Sequence, residues 1–164
     1  MDRRCVLDLV LVRHAEAEDH SSDGTDTSRR LTARGQEQAA TVARALGAFA
    51  LQEGLEIWFS PKLRTQQTAE ALQCELHAPI FQPQPALATG DFARLAFAWQ
   101  ERIPGHLILV GHQPFLGDWC ADLCGLHLPM SKASVTFLRT KNNGSRFQFL
   151  GHLRVELLQF LTRA

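Results

Sequence analysis

Three short apolar runs constrain this chain most: CVLDLVLV at 5–12, LEIWFS at 55–60 and HLILVG at 106–111. They are nearly continuous in Val, Ile and Leu, which is the pattern of strands covered on both faces in a parallel sheet. Helical patterns lie between them. From Thr32, an N-cap type, Ala39, Val42, Ala43, Leu46, Phe49 and Ala50 share one stripe, and Gly54 is expected to close that helix. Ser60 and Pro61 predict an N-cap and first turn for a helix over 61–73. DFARLAFAWQER (91–102) reads as a helix with Asp91 near its start. QPFLGDWCADLCG (113–125) reads as another, with Pro114 in its first turn and Gly125 past its end. Strands alternating with helices predict a three-layer α/β/α sandwich with a mainly parallel central sheet.

The remaining segments are weaker. Residues 79–88 carry Pro79, Pro83 and Pro85 and predict extended chain with at most short strands. KASVTFLRT (132–140), the turn KNNG and SRFQFLGHLRV (145–155) alternate like a C-terminal antiparallel hairpin, with a short helix or loose tail from Glu156. Residues 15–31 are polar and read as structureless. Such a long connection is often functional, and this one is placed to rim whatever lies at the end of the first strand. The alternative is a tolerated surface excursion.

The length of 164 residues suits a single domain, 1–164. Seventeen basic and 17 acidic residues cancel, so no global charge draws the chain to nucleic acid or a membrane surface. No apolar run approaches the roughly 20 residues of a membrane span. The start lacks a small-residue cleavage site after its apolar run, and a cytoplasmic location is expected. Cys5, Cys74, Cys120 and Cys124 include no Cys-x-x-Cys pair and are expected as buried free thiols. The histidines offer no His-x-x-x-His ligand spacing, which disfavours a metal hydrolase.

The three apolar runs end alike. The first runs into Arg13 and His14, the second into Ser60 with Arg64 one turn on, the third into Gly111 and His112. Ligands of open parallel sheets bind beyond the carboxyl ends of the strands. If the three strands are neighbours, two arginines and two histidines converge there. Arginine forks bind phosphoryl oxygens bidentately and a histidine adds a donor. The first turn of the 61–73 helix adds a positive dipole end.

The motifs LVRHAEAE, LTARGQEQA, SPKLRTQQTAE and LVGHQP, in this order over roughly residues 7–120, resemble the histidine phosphatase (phosphoglycerate-mutase-like) superfamily. Arg13-His14-Ala15 stands where Arg-His-Gly is usual. The short length and absence of a large inserted cap look most like the SixA-type phosphohistidine phosphatases. The resemblance implies that His14 is the nucleophile and forms a phosphohistidine intermediate. It implies that Arg13, Arg64 and His112 clamp the phosphoryl oxygens, with Ser60 and Gln113 as further contacts, and that no metal or cofactor is needed. The expected partner is a phosphorylated protein, such as a histidine-containing phosphotransfer domain. The alternatives are a small phosphate ester or a non-catalytic phosphate-binding module. Oligomeric state is left open.

The general acid is the open position. Larger superfamily members carry a carboxylate after the second helix, where this chain reads QPALATGDFARLA. Asp91 is the one candidate there, and it is equally a helix cap. Glu16 and Glu18 lie near the nucleophile but are expected to be solvated. An alkoxide leaving group needs a proton in the transition state. A phosphohistidine can be protonated on its own ring, which titrates around 6.5. A site without a firm acid therefore favours phosphohistidine over sugar phosphates.

Overall fold

The structure, a computed structural model, describes residues 7–49, 51, 54–100, 105–141 and 146–162. Residues 5–6 of the first apolar run, Ala50, Glu101, Arg102 and the turn residues 142–144 lie outside this set. Six strands form one sheet: β1 (Asp8–Arg13), β2 (Leu55–Phe59), β3 (Ile80–Pro83), β4 (His106–Gly111), β5 (Val135–Lys141) and β6 (Arg146–Leu153). Their spatial order is β3-β2-β4-β1-β5-β6. The first four run parallel, and β5 and β6 add the antiparallel hairpin edge.

Six helices cover the two faces: α1 (Ala33–Gly47), α2 (Leu63–Leu76), α3 (Ala86–Thr89), α4 (Phe92–Gln100), α5 (Phe115–Cys124) and α6 (Val155–Leu161). Strand alternation splits the apolar residues between them. Val10, Val12, Ile57, Ile108 and Val110 pack toward α1, α2 and α6. Leu9, Leu11, Trp58, Leu107 and Leu109 pack toward α3, α4 and α5. Trp58, Trp99 and Trp119 are all buried on this second face. Each of these strands thus buries both faces, which explains the unbroken apolar runs.

Several boundaries differ from the sequence reading. Helix α1 starts as expected, with Thr32 Oγ1 accepting from Gly35 N at 3.0 Å, but ends at Gly47, leaving Phe49 half exposed beyond it. Phe49 instead meets the Phe137 ring at 4.9 Å, and Gly54, at φ +66°, turns the chain into β2. Helix α2 runs over 63–76 with Lys62 at its cap position, so Ser60 and Pro61 precede it. Residues 156–161 of the tail belong to α6, which starts at Val155. Cys120 and Cys124 share a face of α5 with their sulfurs 3.7 Å apart, unbonded, and Cys74 is also free but exposed, where burial was expected.

The polar stretch 15–31 corrects the structureless reading most. Ala17 and Leu31 pair as an isolated antiparallel bridge, and Asp26–Ser28 form a 3-10 turn. Asp23 Oδ1 gathers the Ser21 and Thr25 hydroxyls, Thr25 N and Ser28 Oγ. Side-chain hydrogen bonds of this kind, one of them to the Thr25 backbone, build order without helix or strand, so periodicity cannot reveal them.

Candidate active site

Strands β2, β4 and β1 are consecutive in the sheet, so the three polar strand ends do meet. Arg13 pairs in register with Gly111, and Phe59 with Val110. The ladder continues one step past the strands. His14 N donates to Gly111 O at 3.1 Å, and Ser60 N donates to Val110 O at 3.0 Å. His14, Ser60 and His112 therefore leave the sheet side by side, and the His14 and His112 rings stand edge to face with centroids 5.2 Å apart. Gly111 lets α5 pack closely over the end of β4, since a Cβ there would sit 3.1 Å from Leu116 Cδ2.

Both ring nitrogens of His14 are assigned by their partners. Nδ1 lies 2.8 Å from Ala15 O, an acceptor only, so Nδ1 carries the proton. Arg64 Nε donates to Nε2 at 3.3 Å, which requires a lone pair there. Burial pushes the ring's pKa down to about 4, the Ala15 contact opposes that shift, and the Arg64 and Arg13 charges add to it. The imidazole is neutral at pH 7, with its nucleophilic nitrogen turned toward a cation. The loop from Ala15 is held in turn: Ala15 N donates to Thr68 Oγ1 at 3.1 Å, and Thr68 Oγ1 donates to Arg64 O at 2.7 Å.

Ser60 has a different role from the helix cap expected of it. It is fully buried, and its hydroxyl bonds His112 Nε2 at 2.8 Å. Burial first, then the neighbouring His14 and Arg64, lowers the His112 pKa to about 3. Arg13 is anchored by Nη1 donating to Met130 O at 2.8 Å. Two buried polar atoms here, Arg13 Nε and His112 Nδ1, have no hydrogen bond among the described residues. An orphaned buried polar group costs about 1–3 kcal/mol, a cost an incoming anion can relieve.

A pocket of about 370 Å³ opens among Arg13, His14, Arg64, His112, Gln113 and Phe115, with Arg29, Lys62 and Lys132 in its wall. Among the described residues, five permanent cations and two neutral imidazoles line it, and no carboxylate does. Such a wall suits a dianionic phosphoryl group. Gln113 lines it while its Oε1 accepts from Gly117 N at 3.0 Å. Arg29, Lys62 and Lys132 were not singled out by the sequence. Lys62 lies inside the SPKLRT motif and was legible there. Arg29 lies in the polar 15–31 stretch with no strand-end signal, and Lys132 comes from the segment just before β5, the neighbour of β1.

The acid candidates lie elsewhere. Asp91 Oδ1 accepts from Arg94 N at 3.0 Å, a helix-cap contact, and Asp91 is not among the residues lining the pocket. Glu16 accepts from the Thr32 hydroxyl at 2.9 Å, so it is tied down where a solvated side chain was expected. Glu18 is exposed and meets Arg30 N at 3.4 Å.

The model of the histidine phosphatase superfamily (branch 1) matches residues 9–104. An uncharacterized protein of Picosynechococcus sp. is 36% identical over 143 residues, covering 82% of this chain and 86% of that one. The solved structure of the protein histidine phosphatase SixA complexed with tungstate has a TM-score of 0.78 at 23% identity, covering 92% of this chain and 99% of the other. A putative phosphohistidine phosphatase SixA from Agrobacterium tumefaciens has a TM-score of 0.74 at 19% identity, over 90% and 97%. Strand order, strand-end residues and the matched model agree: the chain belongs to the histidine phosphatase superfamily.

Proposed function

We propose that this protein is a SixA-like phosphatase that removes phosphoryl groups from phosphohistidine on cytoplasmic signalling proteins, through a covalent intermediate on His14. The observation that carries the reading is the His14 ring itself. Its Nδ1 is anchored on Ala15 O and its Nε2 faces Arg64 inside a cation-lined pocket. In the first step the Nε2 lone pair forms a bond to phosphorus as the substrate's P–N bond breaks, and the departing imidazole leaves with a proton from its own ring or from solvent. In the second, water attacks phosphorus, the P–N bond to His14 breaks, and inorganic phosphate departs. Arg13, Arg64 and His112 hold the phosphoryl oxygens in both steps. Catalysis of this type is mostly positioning and charge stabilisation. The absence of a carboxylate from the pocket lining supports a leaving group that carries its own proton.

A small-molecule phosphomonoesterase is the second reading. A cavity of about 880 Å³ adjoins the phosphoryl pocket, sharing Arg13 and Gln113 and lined further by His127, His152 and Arg154. It would hold the leaving group of a small ester. The deciding experiment compares kcat/KM on a phosphohistidine-bearing phosphotransfer domain, small alkyl phosphates and p-nitrophenyl phosphate. Phosphate release by wild type and none by His14→Ala, with preference for phosphohistidine, supports the first reading. Preference for alkyl phosphates replaces it with the second. Negligible turnover by both proteins on every substrate leaves a binding module.

A further inference from the structure

Outside the strand ends, one side chain reaches three of the pocket's five cations. Asp26, on the loop after β1, is half exposed and is not itself a lining residue. Its Oδ2 accepts from Lys62 Nζ at 2.7 Å and from Arg64 Nη2 at 3.1 Å. Its Oδ1 accepts from Arg29 Nη1 at 2.9 Å, and its backbone carbonyl accepts from Arg64 Nη1 at 2.7 Å. These contacts, that of Lys62 foremost, hold the carboxyl well below the usual carboxylate range, so it stays charged.

The consequence falls on Arg64. Its guanidinium is buried and planar, and three of its donors are accounted for. Both terminal nitrogens point to Asp26, which fixes the plane, and Nε is then directed at His14 Nε2. Unpinned, a long side chain with many rotamers has several ways to meet an anion. It would also be pushed by Lys62 and Arg29, like charges in the same wall.

We infer that Asp26 is a positioning residue of the phosphoryl site: it fixes the guanidinium plane of Arg64 beside the nucleophilic nitrogen of His14, where the phosphoryl oxygens arrive. The inference rests on the phosphoryl-transfer reading above. The loop of 15–31 thus reaches the site through one carboxylate that touches cations and not the substrate. It also predicts an unusual split between binding and turnover. Removing the carboxylate takes a negative charge away from the pocket, which favours anion binding. It also loosens the geometry that turnover requires.

The test uses the full chain carrying Asp26→Asn, with p-nitrophenyl phosphate for turnover and inorganic phosphate for binding, measured by calorimetry. The expected result is a kcat about tenfold or more below wild type, since small misplacements at a reacting centre are costly, with phosphate affinity equal or tighter. Asp19→Asn, which removes a charge from an exposed position of the same loop, is expected to leave both within about twofold, as solvent and salt screen such a charge. Parallel weakening of kcat and phosphate binding in Asp26→Asn would show that the residue only maintains the loop and would overturn the inference. So would an unchanged kcat beside an active wild type. Failure of the wild type to turn over either p-nitrophenyl phosphate or phosphohistidine would instead remove the phosphoryl-transfer reading, and the inference with it.

Discussion

Acid should destabilise this protein through His14, by an amount that follows from where the ring sits. The residue is 7% exposed, and burial aided by nearby Arg64 and Arg13 lowers its pKa from 6.5 to about 4. In the unfolded chain the imidazole regains its ordinary value. As the pH falls below that value, the unfolded state takes up the proton first. The His14 contribution to stability therefore drops until the folded ring also titrates, near pH 4, and levels off below. At about 1.4 kcal/mol per pKa unit the full loss is about 3 kcal/mol, with about 2 kcal/mol gone by roughly pH 5. A domain with about 5–15 kcal/mol in total will show that clearly. The assay is urea unfolding near pH 7 and near pH 5, in phosphate-free buffer, for wild type and His14→Gln. Glutamine keeps an amide donor but does not titrate. Wild type should lose about 2 kcal/mol more than the variant between the two conditions. Equal losses would refute the claim that His14 is held neutral by its surroundings. Inorganic phosphate should flatten the wild-type dependence, because a bound dianion favours the imidazolium.

Three further outcomes follow from particular contacts. Gly35→Ala should destabilise by about 2 kcal/mol or more, against the usual gain from alanine in a helix, because the new Cβ would lie 1.9 Å from Glu16 O; that carbonyl is held by Thr32 N at 3.1 Å, and denaturant melts would read the loss. Ser60→Ala removes the 2.8 Å partner of His112 Nε2 and leaves a buried ring unpaired. It should cost about 1–3 kcal/mol and weaken phosphate binding in calorimetry. Asp91→Asn keeps an equally good cap, so stability and turnover of phosphohistidine protein should both stay near wild type; a fall in kcat of about 100-fold or more would identify Asp91 as the general acid.

The sequence alone determined the layered architecture, because runs such as LEIWFS and HLILVG must be covered on both faces, and only helices between parallel strands do that. It also marked His14, Arg13, Arg64 and His112, since a charged or polar residue at the end of a buried strand needs a reason. What lay beyond it was anything set by contacts between distant segments. Ser60 looks like a helix cap to local rules and becomes the partner of His112 only because β2 lies beside β4. Asp91 reads as cap or acid by local rules, and only the fold shows Arg94 N on its carboxylate and the pocket lined by other residues. The loop of 15–31 has no periodicity, yet its hydroxyls and Asp23 fold it and deliver Asp26 to Arg64. Periodicity records which face is buried, whereas the partner of a side chain is chosen by strand order and loop closure, and those exist only in three dimensions.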